Sequence, residues 1–505
     1  MKAICTYNRE KTPNMDNKAV QLQDNGKITT ANLNDILQKQ QAAFAEEGFA
    51  TYETRLDRLN RLEALLHENI DALVATMSED FGHRSPHQSR IADFYGTFEC
   101  IKHTKKHLKK WMKDEKRNSP FPLGLLGARS KIQYQPKGVI GNITTWNFPV
   151  GVACTPLAGI LAAGNRCMVK LTEVTPATSE LLKTLFAKYF DETEVIGITG
   201  GPEVGAAFSS LPLDHIIFTG ATSIGRHILR GAADNLTPVT LELGGKSPVV
   251  VGRSADLQES ALRIFTGKAL NVGQVCISPD YIFVAEEQLD TFVEMAIQHV
   301  STMFPTMLSN SDYSSVINER HYQRLQSYLQ DASDNGADVR EINPANEDFT
   351  KQTSTHKIPL TIVVNPDDNL KVMQEEIFGP IISVKTYQHI DDAIKYINTN
   401  SHPLALYYFG DDKAEETRIL NTTTAGGVSI NDVVAHAGVE ELPFGGIGPS
   451  GMGSYHGFEG FKTFSHAKSI FRQSKKVYMM KHTGMIPPYN DSTEKALTFM
   501  LKRRK

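Results

Sequence analysis

The spacing of apolar positions divides the chain into a helical first part and a longer part in which short strands alternate with helices. From residue 33 to about residue 116, leucine, isoleucine and aromatic residues recur every third or fourth position, which predicts amphipathic helices. The preceding residues 1–30 are rich in Lys, Asn, Gln and Asp, which predicts a flexible N-terminal arm. Beyond Pro136, short apolar runs separated by helical segments predict largely parallel sheets covered on both faces.

The alternating part divides into two units. Predicted strands of the first unit fall within residues 139–241, and those of the second fall within residues 247–430. Two further stretches, residues 130–136 and 461–471, are predicted as strands outside these units. The predicted fold class is α/β, with two parallel α/β sheet domains and a small β element.

Composition and charge narrow the classes of protein to which the chain can belong. Its 505 residues are 40% hydrophobic and 22% charged, which is typical of a soluble globular protein with about three domains. A net charge of −4 gives no indication of a nucleic-acid or anionic-membrane partner. Apolar runs stay below the roughly 18 residues that a transmembrane helix needs. Five scattered cysteines without CxxC pairs predict reduced thiols and a cytoplasmic location.

Two residues near the middle of the chain suggest covalent catalysis. Glu242 lies between two leucines at a predicted strand end, and Cys276 lies in a loop after a predicted helix at residues 257–270. Such positions can meet in space and would combine a thiol nucleophile with a carboxylate base. The 16 histidines show no HExxH or similar spacing, so no metal site is predicted. A Cys–His pair remains open from the spacing alone.

Other motifs have both a functional and a structural interpretation. Asn147 follows Trp146 at a strand-to-helix junction, where its amide could stabilise an oxyanion or simply cap the helix. The glycine turn at residues 220–225 could bind an anion through backbone N–H groups, or be an ordinary turn. Lys170 and Glu173 could contact a cofactor ribose, or be solvated surface charges.

Together the motifs resemble the aldehyde dehydrogenase superfamily over about residues 35–480. Six appear in order: Thr-Trp-Asn-Phe-Pro, Phe-Thr-Gly-x-Thr-x-Ile-Gly-Arg, Leu-Glu-Leu-Gly-Gly-Lys-Ser-Pro, Gly-Gln-x-Cys, Glu-Glu-Ile-Phe-Gly-Pro and Pro-Phe-Gly-Gly. The stretch Gln-Val-Cys-Ile-Ser-Pro-Asp-Tyr is similar to the class 3 branch, and within it the coniferyl aldehyde dehydrogenase subgroup gives the nearest resemblance.

The resemblance implies a reaction and a cofactor. Cys276 would attack the aldehyde carbon, Asn147 would hold the oxyanion, and Glu242 would activate the water that hydrolyses the thioester. The cofactor would be NAD, with NADP as the alternative, and the aldehyde would be aromatic, such as coniferyl aldehyde, or medium- to long-chain aliphatic. The implied cofactor contacts are Trp146, Lys170, Glu173, Gly220, Ala221, Thr222, Ser223, Ile224, Gly225, Glu376 and Phe378. Ala221 departs from the serine of many relatives, which removes a hydroxyl donor.

The resemblance also implies a domain plan and an assembly. Expected are an NAD(P)-binding domain (31–117 and 137–244), oligomerisation strands (118–136 and 446–480), a catalytic domain (245–445) and a C-terminal tail (481–505). A homodimer is expected, with a tetramer as the alternative and without stable membrane insertion. Two competing interpretations stay open: a CoA-acylating relative, and a catalytically inactive dinucleotide-binding or structural protein.

Overall fold

A computed structural model describes residues 30–475 and 477–502. The predicted N-terminal arm therefore lies outside the described residues, except for Thr30, where the first helix begins.

The helices and strands have the following bounds. The helices are α1 (Thr30–Glu47), α2 (Tyr52–Asp80), α3 (Pro86–Ser89), α4 (Gly96–Trp111), α5 (Pro149–Ala162), α6 (Pro176–Tyr189), α7 (Pro202–Ser209), α8 (Thr222–Ala233), α9 (Leu257–Ala269), α10 (Leu289–Met303), α11 (Glu319–Asp334), α12 (Lys371–Gln374), α13 (Ile390–Thr399), α14 (Lys413–Thr422), α15 (Gly457–Thr463), α16 (Met479–His482) and α17 (Asp491–Leu501). The strands are β1 (Glu115–Arg117), β2 (Arg129–Pro136), β3 (Val139–Ile143), β4 (Arg166–Lys170), β5 (Val195–Ile198), β6 (His215–Thr219), β7 (Val239–Glu242), β8 (Ser247–Val251), β9 (Pro279–Ala285), β10 (Asp338–Glu341), β11 (Thr361–Val364), β12 (Ile381–Tyr387), β13 (Ala405–Phe409), β14 (Gly427–Ile430), β15 (Gly451–Met452) and β16 (Ser465–Arg472).

The first sheet has six strands in the order β15-β7-β6-β3-β4-β5. Strands β3 to β7 are parallel, as predicted, while β15 pairs antiparallel with β7. Helix α2 packs on the helices that cover this sheet, and its leucines at positions 59, 62, 65 and 66 are completely buried. Their spacing of three and four places them on one face, which explains why this face forms a core.

The second sheet has seven strands in the order β10-β11-β12-β9-β8-β13-β14. All its pairings are parallel except β10 with β11. The sequence predicted a strand from residue 377, but β12 begins only at Ile381. Phe378 has a positive φ of 46°, which is incompatible with an extended strand.

A third, three-stranded sheet has the order β1-β2-β16 and is antiparallel throughout. The prediction of a strand over residues 461–471 was wrong in its first part, because α15 continues to Thr463. Phe458 and Phe461 are three positions apart and stack on each other at 6.1 Å, and Phe461 is completely buried. Helical spacing therefore prevails there over the predicted strand.

Candidate active site

A cavity of about 1020 Å³ is lined by residues from both large sheets and from the helices before them. Strand β7 ends at Glu242 and β9 begins shortly after Cys276, so the two residues approach the cavity from different sheets. Both line the cavity, together with Asn147, Glu376 and Phe378. The residues predicted from separate motifs thus surround one space.

Cys276 lies in a tightly turned segment, residues 270–278, that we call the cysteine loop. Asn271, Val272 and Gly273 have positive φ angles of 48°, 47° and 77°. Such a φ angle is tolerated by asparagine and glycine but strained for a β-branched valine. A strained residue costs about 1–3 kcal/mol and persists only where its surroundings hold it.

Buried amides hold the cysteine loop in place. The backbone N–H of Asn271 donates to Oε1 of Gln88 at 2.9 Å, and the Asn271 side chain donates to the Asn147 carbonyl at 3.1 Å. Gln274 is completely buried, and its side chain donates to the Ser315 carbonyl at 3.0 Å. These bonds connect the loop to three distant segments of the chain, which offsets its backbone strain.

Asn147 is oriented toward the cysteine loop. Its buried side chain donates from Nδ2 to the backbone carbonyl of Gln274 at 3.2 Å, two residues before Cys276. The N-cap position of α5 is Phe148, and no side-chain cap bond is formed there. The alternative interpretation of Asn147 as a helix cap is therefore wrong.

The start of α5 is instead held by a buried ion pair that the sequence did not reveal. Asp93 accepts the backbone N–H groups of Val150 at 3.1 Å and Gly151 at 3.0 Å. Its other oxygen accepts from Arg84 at 2.9 Å, and both charged side chains are inaccessible to solvent. The Arg84 guanidinium also lies 5.3 Å from the centroid of the Phe148 ring. The ion pair therefore fixes the backbone immediately after Asn147.

Glu242 is a buried carboxyl group at the end of β7. Only 2% of the residue is exposed, and neither carboxyl oxygen has a hydrogen-bond partner among the described residues. Burial without such partners raises the pKa of Glu242 well above its usual value of 4.5. A carboxyl group with a raised proton affinity suits general-base chemistry.

The thiol and the second carboxyl group also have raised pKa values. Burial raises the pKa of Cys276 to about 12, with the nearby charges of Glu376 and Glu242 adding to the effect. Burial also raises the pKa of Glu376 to about 7, although the backbone N–H of Gly245 donates to it. The sequence led us to expect an activated thiol, but in this structure a base must first remove the proton of Cys276.

Aromatic residues form one wall of the cavity. The Trp146 ring meets the Phe378 ring edge to face at 5.4 Å and the His321 ring at 5.0 Å. Arg324 donates to the backbone carbonyls of Glu376 and Phe378, each at 3.3 Å. This arginine holds the left-handed turn at Phe378 so that the ring points toward Trp146.

A further charged pair secures the segment before Glu376. The Lys246 ammonium contacts the Asp280 carboxylate and donates to the carbonyls of Val372 at 2.7 Å and Glu375 at 2.9 Å. The other Asp280 oxygen accepts the N–H of Ile377 at 2.9 Å. Lys246 was visible in the sequence only as part of a motif, because its partners lie far along the chain.

The predicted cofactor contacts fall into two groups. Those that line the cavity are Trp146, Gly220, Ala221, Glu376 and Phe378. Those that do not line it are Lys170, Glu173, Thr222, Ser223, Ile224 and Gly225. Helix α8 begins at Thr222 as predicted, and the Lys170 ammonium lies 3.4 Å from the Glu173 carboxylate. The charge pair therefore exists at the end of β4, outside the cavity.

Solved structures share this fold. A substrate-bound structure of AldH from Staphylococcus aureus matches with a TM-score of 0.86 and 32% identity, covering 93% of this chain and 99% of that chain. A betaine aldehyde dehydrogenase from the same organism, in complex with NAD+, matches with a TM-score of 0.79 and 27% identity, covering 90% and 89%.

The sequence comparisons agree with the structural ones. A protein from Caulobacter vibrioides named probable coniferyl aldehyde dehydrogenase is 50% identical over 472 residues, which cover 93% of this chain and 97% of that protein. A coniferyl aldehyde dehydrogenase from a Pseudomonas species is 47% identical over 93% of this chain and 96% of its own length. The aldehyde dehydrogenase family model matches residues 13–470. The chain belongs to the aldehyde dehydrogenase family.

Proposed function

We propose that the chain catalyses the NAD(P)-dependent oxidation of an aldehyde to a carboxylic acid. The observation that carries the proposal is the arrangement of Cys276, Asn147, Glu242 and Glu376 around one cavity. The coniferyl aldehyde dehydrogenases at 47–50% identity favour an aromatic, unsaturated aldehyde such as coniferyl aldehyde. Medium- and long-chain aliphatic aldehydes are the second candidate class, since the apolar wall formed by Phe148, Val275, Ile277 and Phe444 fits both.

The cavity suits a nicotinamide dinucleotide. A Cβ atom on Gly244 would lie 2.5 Å from Oε1 of Glu376, so glycine leaves the room that this carboxylate occupies. Glu376 would accept hydroxyl groups of the nicotinamide ribose, and Phe378 would lie beside the ring. Lys170 and Glu173 would serve the adenosine ribose, where Glu173 would repel a 2′-phosphate and favour NAD over NADP. The bound nicotinamide would supply the hydride acceptor.

The first covalent step joins the thiol to the aldehyde. Glu242 accepts the proton of Cys276, and the sulfur adds to the carbonyl carbon to give a thiohemiacetal. One amide hydrogen of Asn147 is engaged by the Gln274 carbonyl, and the second can donate to the oxyanion. The backbone N–H of Cys276 supplies the other donor. Donors fixed in a partly dry cavity stabilise such an oxyanion more than water does.

The second step releases the acid. Once the hydride has passed to the bound acceptor, Cys276 would hold a thioester, and Glu242 releases the proton of the first step to solvent. The ionised Glu242 then takes a proton from water so that the hydroxide attacks the acyl carbon. Collapse expels the thiolate, which is reprotonated. Because Glu242 lacks a hydrogen-bond partner among the described residues, its carboxyl group is free to engage that water.

Two other functions make different predictions. A CoA-acylating enzyme would need CoA to release the acyl group, and Glu242 at the position of a base disfavours this. Release of acid without CoA would exclude a CoA-acylating enzyme.

An inactive binding protein would show no aldehyde turnover at all, and the intact Cys276 and Asn147 disfavour this alternative.

The direct experiment follows NADH absorbance with coniferyl aldehyde, a saturated aromatic aldehyde and a fatty aldehyde, compared by kcat/KM. Cys276→Ala should abolish turnover with every aldehyde. Cys167→Ala, in the buried strand β4, is the matched control and should retain it. Turnover retained in Cys276→Ala would contradict the mechanism, whereas a preference for the fatty aldehyde would contradict only the substrate.

We also propose a cytoplasmic homodimer, with a tetramer as the alternative. Strand β16 is the exposed edge of the third sheet and carries Phe471, which is 51% exposed. Helix α17 exposes Phe499, Met500 and Leu501, which would pack on a partner subunit.

Among the described residues, no helix is long and apolar enough to cross a bilayer. Light scattering gives the assembly, and sedimentation with anionic liposomes tests whether the tail binds a membrane instead.

A further inference from the structure

Three side chains that could bind a metal ion meet beside the cavity, of which two, His103 and Glu441, line it. His103 and His107 lie one turn apart on α4, and Glu441 follows a short 3₁₀ helix (Ala435–Gly438) that comes after β14. One ligand atom of each lies within 4.8 Å of the ligand atoms of the other two. We call these three residues the His-His-Glu cluster. The aldehyde reaction proposed above does not require this cluster.

Each histidine has a nitrogen positioned for a ligand. Nδ1 of His107 lies 3.0 Å from the backbone carbonyl of His103, so Nδ1–H donates and Nε2 keeps its lone pair. Metal-binding histidines commonly use such a carbonyl bond to fix the ring and its tautomer. Nε2 of His103 lies 2.7 Å from Oε1 of Glu441, and a proton bridges the two atoms. A cation could replace that proton.

The surroundings carry charges of both signs, since α4 itself has five lysines, and they are partly open to solvent. Glu99 and Glu440 also line the cavity near His103, and the charge of Lys110 interacts with that of Glu441. The Glu441 side chain is 75% exposed and can move, whereas that of His103 is 16% exposed. Ligand atoms on one tetrahedral Zn²⁺ ion lie about 3.4 Å apart, given bonds of roughly 2.0–2.1 Å. The three ligand atoms lie within 4.8 Å of one another without an ion, so an ion would draw them together through movement of the exposed carboxylate and rotation of the two imidazole rings.

We propose that the His-His-Glu cluster binds a divalent transition-metal ion of the Zn²⁺ class. Two imidazole nitrogens and one carboxylate oxygen form a ligand set that such ions prefer, and a fourth position remains for water. The ion displaces the proton between His103 and Glu441, so binding releases a proton to solvent. It also ties α4 to the segment that carries Glu441, which fixes one edge of the cavity.

This inference does not depend on the aldehyde reaction, and its test does not measure turnover. Zn²⁺ binding to the full chain is measured by equilibrium dialysis in a Cys276→Ser background, because the catalytic thiol would itself bind zinc. We expect one ion per chain, with affinity weakened about tenfold or more in each of His103→Ala, His107→Ala and Glu441→Gln. His402→Ala, at an exposed position elsewhere, should change nothing.

A second readout reports the location of the ion. The Trp111 ring stacks on the His107 ring at 5.8 Å, and the chain has two tryptophans. In a Trp146→Phe/Cys276→Ser background, Co²⁺ should quench the fluorescence of Trp111, and Glu441→Gln should weaken this quenching about tenfold or more. Glu441 is exposed, so its replacement leaves the fold intact. Absence of binding at 100 μM Zn²⁺ (about 100 times a micromolar Kd), or equal binding in all variants, would overturn the proposal.

Discussion

Burial sets the proton affinities of Glu242 and Cys276, and both groups favour their neutral forms. The apolar cavity that supports an oxyanion also opposes the charges that start the reaction. The nucleophile therefore depends on a nearby base, and the base depends on being poorly solvated. Asn147 supplies the compensating donor, because its amide is already held beside the cysteine loop.

Glu242→Gln should stabilise the protein at neutral and alkaline pH. The folded pKa of Glu242 is raised, so the folded state holds a proton that the unfolded chain loses above about pH 4.5. The resulting loss of folding stability grows as the pH rises from about 4.5 toward the pKa of Glu242 in the folded state. Glutamine mimics the neutral form of Glu242 and so avoids this loss of stability. Melting temperatures should therefore match near pH 4 and favour the variant at pH 8; a variant that is less stable at pH 8 would contradict the assignment.

Asn147→Ala should lower kcat by about 10²–10³, which corresponds to roughly 2.7–4 kcal/mol of lost oxyanion stabilisation. NAD affinity, measured by fluorescence titration, should stay unchanged because the amide faces the Gln274 carbonyl rather than the turn at Gly220. A loss of NAD affinity with little effect on kcat would indicate a binding role instead.

At the scale of elements, the site depends on how the ends of helices and strands are held. Residues from α3, from the turn before α4 and from the start of α11 reach the loops that carry Asn147, Cys276 and Phe378. These supports are single side chains whose partners lie on other elements: Asp93 is completely buried, and Gln88 and Arg324 are half-buried.

Breaking the buried Arg84–Asp93 pair tests this at one helix end. Arg84→Met should cost about 3–5 kcal/mol of unfolding free energy, because it leaves a buried carboxylate unpaired. Arg84→Met should also decrease kcat, and by more than a surface variant does, because Asp93 holds the start of α5 beside Asn147. Urea unfolding and steady-state kinetics give the two numbers.

The matched control is Arg418→Met, which breaks an exposed pair with Asp391. Its cost should stay within about 0–1 kcal/mol, without an effect on kcat. Equal costs for the two variants would show that the buried pair has no special part in holding the helix.

The elements and the reacting residues were predictable because their signals are local. A leucine–glutamate–leucine strand end and a lone cysteine beside a proline can be read within a few residues. The side chains that hold the reacting residues in place were not predictable in this way. Gln274, Asp280 and Asp93 act on residues far along the chain, and the positive φ angle of Phe378 has no local signal. Similarly, His103 and His107 gain their third partner, Glu441, only through folding.

At the scale of the whole molecule, the cavity exists because two parallel sheets each contribute one half of the chemistry. The end of β7 supplies Glu242, and the loop before β9 supplies Cys276. Glu242 lies at the carboxyl end of its strand, where parallel sheets place functional residues, whereas Cys276 lies before the amino end of β9. The two residues therefore approach the cavity from opposite ends of their strands. We propose that residues 31–117 with 137–244, and residues 245–445, act as cofactor and catalytic domains on this plan.

The central claim is that Cys276 carries the acyl group and that Glu242 activates the water that releases it. A single turnover with coniferyl aldehyde and NAD, quenched in acid and followed by peptide mass spectrometry, tests both parts. We predict a transient acyl adduct on the peptide containing Cys276, which decays as the acid appears. In Glu242→Gln the adduct should form more slowly and decay about 10²–10⁴ times more slowly. An adduct on another cysteine, no adduct, or unchanged decay in the variant would contradict the account.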